Sequence, residues 1–252
     1  MSKLRVIARI DVKNDHVIKG IHLEGLRKVG YPNPLAIRYY EDGIDEIVFM
    51  DAVASYYDRN SLSEIISVAC NNVFIPITVG GGVRNVQDIQ TALNSGADKV
   101  AINTQAIRTP EFLEAASKKF GSQCIVLSIE AKKTSSGSWE AYTDNGREPS
   151  GLDVVDWAQK AVSLGAGEIL LTSIDKDGTK RGFDKELCAA VAEVVSVPVI
   201  ASGGAGSATN VSDLIEEVAV DAIAVASILH YGLATVSGLK RHLTESNVRV
   251  RL

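Results

Sequence analysis

Cysteine is scarce in this chain, and the three present (Cys70, Cys124 and Cys188) form neither a close pair nor a metal-like spacing. A disulfide scaffold is thereby excluded, and reduced thiols in a reducing compartment are expected. Histidine is equally sparse: His16, His22, His230 and His242 are scattered, and His230 reads as a packing residue at a helix start. No metal and no cofactor is expected. Long apolar runs are missing, none approaching the roughly 20 residues of a membrane span. The opening Met1-Ser2-Lys3-Leu4-Arg5 is too short and too soon charged for a signal peptide, which leaves the cytoplasm as the expected location. Excess positive charge is also absent. The 26 Lys and Arg against 31 Asp and Glu leave a net charge of −5, which argues against a nucleic-acid or anionic-membrane surface but not against local basic pockets.

What is present is repetition. Ile75-Pro76-Ile77-Thr78-Val79-Gly80-Gly81-Gly82 returns as Val197-Pro198-Val199-Ile200-Ala201-Ser202-Gly203-Gly204, an apolar run opened by proline and closed by small residues. Gly43-Ile44-Asp45-Glu46-Ile47-Val48 returns as Gly165-Ala166-Gly167-Glu168-Ile169-Leu170 at the same offset. Asp98-Lys99-Val100-Ala101-Ile102-Asn103-Thr104 returns as Asp221-Ala222-Ile223-Ala224-Val225-Ala226-Ser227, one residue further apart. Such a repeat is too long for a small solenoid unit and marks a duplicated half-domain, with halves at about 1–122 and 123–252.

Eight short apolar or β-branched runs, at 5–10, 46–50, 75–79, 99–102, 124–129, 168–171, 197–201 and 222–225, read as strands. Between them lie amphipathic stretches such as 34–42, 61–71, 86–95, 110–120, 152–164 and 185–194. Asn60 or Ser61 ahead of Glu64 reads as a capping box, and Pro110 as a first helical residue. Strict alternation implies a parallel sheet with right-handed crossovers. Eight units in two matching halves imply one α/β domain over 1–252, a (β/α)8 TIM barrel with a two-fold internal repeat, at a usual length for that fold. Three segments depart from the pattern. Residues 12–33, rich in glycine and charge, are expected to form a mobile loop over the first strand's end. Residues 132–150 suggest a small hairpin after strand five, and 239–252 a terminal helix and tail.

Active sites of such barrels lie at the C-terminal strand ends. Asp11 and Glu130 end strands one and five, which are diametrically opposite. Two carboxyls across a pocket mouth suit a general acid and a general base. The plainer alternative is that one caps a turn and the other pairs with a local lysine. Gly80, Gly81 and Gly82 with Asn103 and Thr104 make one candidate phosphate cradle, and Gly203 and Gly204 with Ala226 and Ser227 the other. Glycine lets backbone N–H groups approach an anion, although a tight turn without a ligand also explains either cluster alone. Two cradles half a barrel apart imply a ligand phosphorylated at both ends. Asp177-Gly178-Thr179 is either a turn beside the second cradle or an ordinary surface turn. At the opposite mouth Arg5, Glu46, Lys99 and Glu168 each start a strand, as a structural salt ring or as a gate over a central passage.

With these residues assembled, the chain resembles over essentially its whole length the HisF family, the cyclase subunit of imidazole glycerol phosphate synthase. The resemblance rests on Asp11-Val12-Lys13 with Val17-Ile18-Lys19-Gly20, on Asp51 with Ala54-Ser55, and on Thr78-Val79-Gly80-Gly81-Gly82. It continues through Gly96-Ala97-Asp98-Lys99-Val100, Gly165-Ala166-Gly167-Glu168-Ile169-Leu170, Asp175 with Asp177-Gly178-Thr179, and Ser202-Gly203-Gly204-Ala205-Gly206. It implies a lyase of histidine biosynthesis that takes ammonia from a HisH-type glutaminase subunit. The ammonia attacks a bis-phosphorylated ribosyl-aminoimidazole carboxamide intermediate, and cleavage with ring closure gives imidazole glycerol phosphate and aminoimidazole carboxamide ribotide. The resemblance further implies proton transfer by Asp11 and Glu130, with Lys19 in a flexible loop that closes over the substrate. It makes Arg5, Glu46, Lys99 and Glu168 an ammonia gate and puts Asp98 on the face where the glutaminase docks. The chain supplies no glutaminase itself, since no cysteine stands in a nucleophile-elbow context.

Two positions depart from the family pattern. Glu130 stands where Asp is usual, and a misplacement on the order of 1 Å can cost about 10²-fold in rate. Arg9 stands where Cys is usual; pointing inward it favours the ionised form of Asp11, and pointing outward it lies between strand and helix. With Gly30-Tyr31-Pro32-Asn33 and Tyr57-Asp58-Arg59-Asn60-Ser61, these changes resemble a HisF paralogue of surface-polysaccharide (lipopolysaccharide-type) gene sets. Such a paralogue, with its glutaminase, supplies ammonia to a separate sugar amidotransferase. A third reading is the related Amadori-type isomerase of histidine biosynthesis, which shares the opposed carboxylates and two phosphate sites but has no use for an ammonia gate.

Overall fold

The computed structural model describes residues 3–54 and 62–251. The expected capping box at Asn60 or Ser61 and the stretch from Tyr57 to Ser61 lie outside the described residues. Eight parallel strands follow one another around a closed sheet: β1 (Arg5–Lys13), β4 (Glu46–Asp51), β5 (Ile77–Gly80), β6 (Lys99–Ile102), β7 (Ile125–Lys133), β10 (Glu168–Ser173), β11 (Val199–Ser202) and β12 (Ala222–Val225). Pairing of β12 with β1 and of β7 with β10 closes the circle. The remaining strands are antiparallel additions at one mouth: β2 (His16–Ile21) with β3 (Glu24–Gly30), and β8 (Trp139–Thr143) with β9 (Glu148–Asp153).

Alternation along the strands sorts the side chains into two layers. Outward residues such as Ile10, Phe49, Val79 and Leu127 pack in the large cluster shared with the helices. Inward residues fill the barrel: Ile7, Val48, Met50, Val126, Leu170 and Ile200 with Ala101, Ala222 and Ala224 form a separate small core. Charged residues cap this core at the N-terminal mouth, and charged and polar ones at the C-terminal mouth.

The two halves match in detail. Asp98 accepts the N–H of Ile77, and Asp221 accepts that of Val199, at 2.8 and 3.0 Å. Helices Val86–Asn94 and Ala208–Glu217 both open with a capping box, on Asn85 and Ser207. The residues before the short helices Thr104–Arg108 and Ser227–His230 share one backbone conformation, Asn103 at φ −122 and ψ −87 and Ala226 at φ −130 and ψ −75.

Several expectations need correction. Residues 12–33 are an ordered hairpin leading into helix Pro32–Glu41, not an open loop. Its tip is the two-residue turn His22-Leu23, both with positive φ (54 and 60). That conformation fits a hairpin of right-handed twist but normally calls for Asn or Gly, so the sequence gives no turn signal. Tertiary contacts hold it instead: His22 N–H donates to the Asp177 carbonyl at 2.9 Å, and Leu23 is buried. Pro110 caps helix Glu111–Phe120 instead of starting it, and the terminal helix is Val236–Glu245. The hairpin expected within 132–150 is present as β8 and β9.

Asp45 joins the first strand to the last helix. Its carboxylate accepts the Val6 N–H and the Lys240 ammonium, each at 2.7 Å, and both side chains are buried. Asp45→Ala leaves an ammonium and a backbone donor uncompensated, so it should cost about 3–5 kcal/mol. Urea unfolding measures this; a loss no larger than that of an exposed substitution would contradict it.

Candidate active site

Around the C-terminal mouth, Arg9, Asp11, Thr172, Ser202 and Glu130 project inward above the apolar core and are all buried. Arg9 points into the barrel. Its Nε donates to Asp11 at 2.8 Å, and its Nη1 reaches Thr172 Oγ1 at 2.8 Å and Ser202 Oγ at 3.4 Å. On the far side Glu130 Oε2 accepts from Asn103 Nδ2 at 3.0 Å and from the Gly146 N–H at 2.8 Å.

The two carboxyls sit in opposite electrostatic regimes. Burial alone would raise Asp11, but the guanidinium of Arg9 and the ammonium of Lys19 outweigh it and hold this carboxyl below its usual range. Burial pushes Glu130 up to about 7; Arg9 and the Gly146 N–H counter this only in part, while Asp11 and Asp144 add to the rise. At neutral pH one is a carboxylate and the other half-protonated.

Two concave pockets flank this pair. The first is lined by Gly81, Gly82, Asn103, Thr104, Asp51, Asn145 and Glu130. The second is lined by Gly203, Gly204, Ala226, Ser227, Asp177, Gly178, Arg9 and Lys19. Apart from Gly80, which ends β5 without lining the first pocket, the expected members of both cradles thus come together in two groups. Glycine is required by geometry at Gly81, where φ is +95 and a Cβ would lie 2.3 Å from the Asp51 carbonyl oxygen. It is required equally at Gly204, with φ +104 and the Gly182 carbonyl oxygen at 2.0 Å.

Lys19, on β2, is folded down into the mouth. Its ammonium bonds both Asp177 oxygens at 2.7 and 2.8 Å and stands 3.7 Å from Asp11. Asn145 and Gly146 were missed by sequence reasoning, although their Asn-Gly dipeptide is a hairpin-turn signal that could have found them. His230 closes its short helix, instead of starting one, and donates or accepts at Tyr39 through Nδ1 at 2.7 Å. Burial pushes it down to about 4, so it is neutral.

At the N-terminal mouth the four charged strand starts form a closed ring. Arg5 bonds Glu46 and Glu168 at 2.8 and 2.6 Å, and Lys99 bonds the same two carboxylates at 3.2 and 2.7 Å. Asp98 is exposed on that face. Among the described residues no cluster of three or more His, Cys, Asp or Glu is placed to hold a metal ion, and no helix is long and apolar enough to cross a membrane.

Comparison with known proteins matches residues 5–235 to the family described as "Histidine biosynthesis protein". The chain belongs to that family. The matched span holds the ring, both carboxyls and both cradles. Relatives carrying the name "Imidazole glycerol phosphate synthase subunit HisF" agree. The chain is 60% identical over 206 residues to the one from Legionella pneumophila, covering 82% of this chain and 97% of that protein. It is 48% identical over 252 residues, the whole of both chains, to those from Streptococcus sanguinis and Streptococcus gordonii.

The raised Glu130 value has a consequence for stability. Folding takes up a proton between the ordinary value of 4.5 and the native one of about 7, so stability is lost as pH rises through that window. Glu130→Gln keeps an acceptor for Asn103 and Gly146 without the charge. The variant should gain on the parent by roughly 3 kcal/mol between pH 5 and 8. Urea unfolding at several pH values checks this; parallel profiles would contradict it.

Proposed function

We propose that this chain is the cyclase, a lyase, of imidazole glycerol phosphate synthase in histidine biosynthesis. Its substrate is the bis-phosphorylated ribosyl-aminoimidazole carboxamide intermediate, and its products are imidazole glycerol phosphate and aminoimidazole carboxamide ribotide. The observation that carries this reading is a carboxylate and a half-protonated carboxyl facing one another between two anion cradles.

In this reading Asp11, held ionised by Arg9 and Lys19, accepts protons, and Glu130, with a value near 7, donates them. The phosphates lie against the amides of Gly81 and Gly82 with Asn103 and Thr104, and against those of Gly203 and Gly204 with Gly178, Ala226 and Ser227. Lys19 and Asp177 hold the hairpin over the bound ligand and keep water out of the reaction. Ammonia comes from a HisH-type glutaminase subunit docked around Asp98 at the N-terminal mouth, and the ring of Arg5, Glu46, Lys99 and Glu168 is its gate. The ring supports this because it spans the mouth opposite the carboxyls. The assembly works in the cytoplasm.

A second reading is favoured by Arg9, whose guanidinium crosses the barrel from β1 to Thr172 and Ser202. There the barrel and its glutaminase supply ammonia to a sugar amidotransferase of surface-polysaccharide synthesis.

Turnover of the purified chain with the intermediate and excess ammonium salt, without any partner, separates the two. Imidazole glycerol phosphate should form, with kcat/KM at constant free ammonia falling as pH rises past about 7. Glu130→Gln should lower the rate about 10²–10⁴-fold. Substrate binding without turnover would favour the ammonia-supplying reading, and an unchanged rate in Glu130→Gln would remove Glu130 from the chemistry.

A further inference from the structure

The two anion pockets are alike in backbone but unlike in charge. Among the described residues, the first is lined by the acidic residues Asp51 and Glu130 and by no lysine or arginine. The second is lined by Arg9 and Lys19 together with Asp177. Lys19 is fully engaged, since its ammonium is clasped by both Asp177 oxygens and faces Asp11. Arg9 is not. Its Nε and Nη1 are bonded to Asp11, Thr172 and Ser202, while Nη2 has no hydrogen-bond partner among the described residues. Arg9 is only 3% exposed, yet Nη2 is not among the sealed, unpartnered side-chain atoms. The free N–H edge therefore meets solvent through the pocket that Arg9 lines. The duplicated half offers no equivalent, because β7 carries Ser128 two residues before Glu130 where β1 carries Arg9 two residues before Asp11.

We infer that Arg9 is an anion-binding, specificity-determining residue of the second pocket, which makes that pocket the tighter of the two for a phosphate dianion. A planar guanidinium fixed by Asp11 at Nε and by Thr172 and Ser202 at Nη1, with Nη2 left free, is already oriented for a phosphate oxygen. No side chain need be ordered on binding, which lowers the entropic cost. Burial works against the charge, but Asp11, Asp177 and Glu130 keep Arg9 protonated. Among the described residues, the first pocket offers a phosphate only backbone amides, Asn103 and Thr104. A ligand phosphorylated at both ends then docks first by the end that enters the second pocket. This inference rests on the double-phosphate reading of the site and adds an order and a polarity to it.

The test is a titration of the full chain with inorganic phosphate, followed through backbone amide resonances of both cradles. Gly203, Gly204 and Ala226 should respond at lower phosphate than Gly81, Gly82 and Asn103. Arg9→Met should weaken the second response about 10–100-fold, the effect of losing one charge-assisted hydrogen bond, and leave the first within about twofold. Arg9→Lys should recover part of it. Because Arg9→Met leaves Asp11 with only the more distant Lys19, the double variant Arg9→Met with Asp11→Asn restores the charge balance and guards against loss of the fold. Phosphate affinity should stay low in that double variant. Its return to the parent value would show that Arg9 only neutralises Asp11, and overturn the inference. Equal responses of the two cradles in the parent chain would overturn it too. Phosphate binding is read without turnover, so a chain that ignores the bis-phosphorylated intermediate but shows the Arg9-dependent response would contradict the proposed function and support this assignment.

Discussion

Pairing of β7 with β10 closes the sheet, and the other relations in the molecule depend on that closure. Only in a closed barrel do the ends of β1 and β7 face one another across a mouth, bringing Asp11 and Glu130 into one field. Only there can side chains from β1, β4, β6 and β10 meet in a four-member ring at the other end. Between the two polar ends the interior is filled with apolar side chains. The low dielectric this creates strengthens every charge interaction at the mouth and raises the cost of any charge left unpaired.

That cost is distributed unevenly. Both carboxyls are buried to a similar degree, Asp11 at 7% and Glu130 at 5% exposure, so desolvation alone cannot separate them. The separation comes from cations. Arg9 and Lys19 both stand on the Asp11 side, whereas Glu130 is met by one amide side chain and one backbone N–H. A neutral donor stabilises a carboxylate less than an ion pair does, and the result is one ionised group and one near neutrality. The same asymmetry runs into the two flanking pockets, since the cations that depress Asp11 also line the second pocket.

Much of this was legible in the residues. The duplicated Pro-to-Gly runs located β5 and β11 to within two residues, and the strand starts 46, 99 and 168 fell where the ring needs them. The grouping of residues around the two pockets could be read because strand, glycine and short helix follow one another in a fixed order in both halves. The β2–β3 hairpin could not. Its turn at His22-Leu23 is held by Asp177, more than 150 residues away, and no local propensity encodes it. The direction of Arg9 was open as well, because strand alternation allows an inward arginine only if partners wait inside. Those partners, Thr172 and Ser202, come from β10 and β11. Gly146 serves Glu130 through its backbone N–H, a role that no side chain announces.

The two opposed carboxyls hold different protonation states at neutral pH. Carboxyl-carbon NMR titration of the chain, with Asp11→Asn and Glu130→Gln used to assign the two resonances, tests it most directly. Glu130 should titrate near 7 and Asp11 below its ordinary value of 3.8. Two carboxyls titrating together near 4 would contradict it.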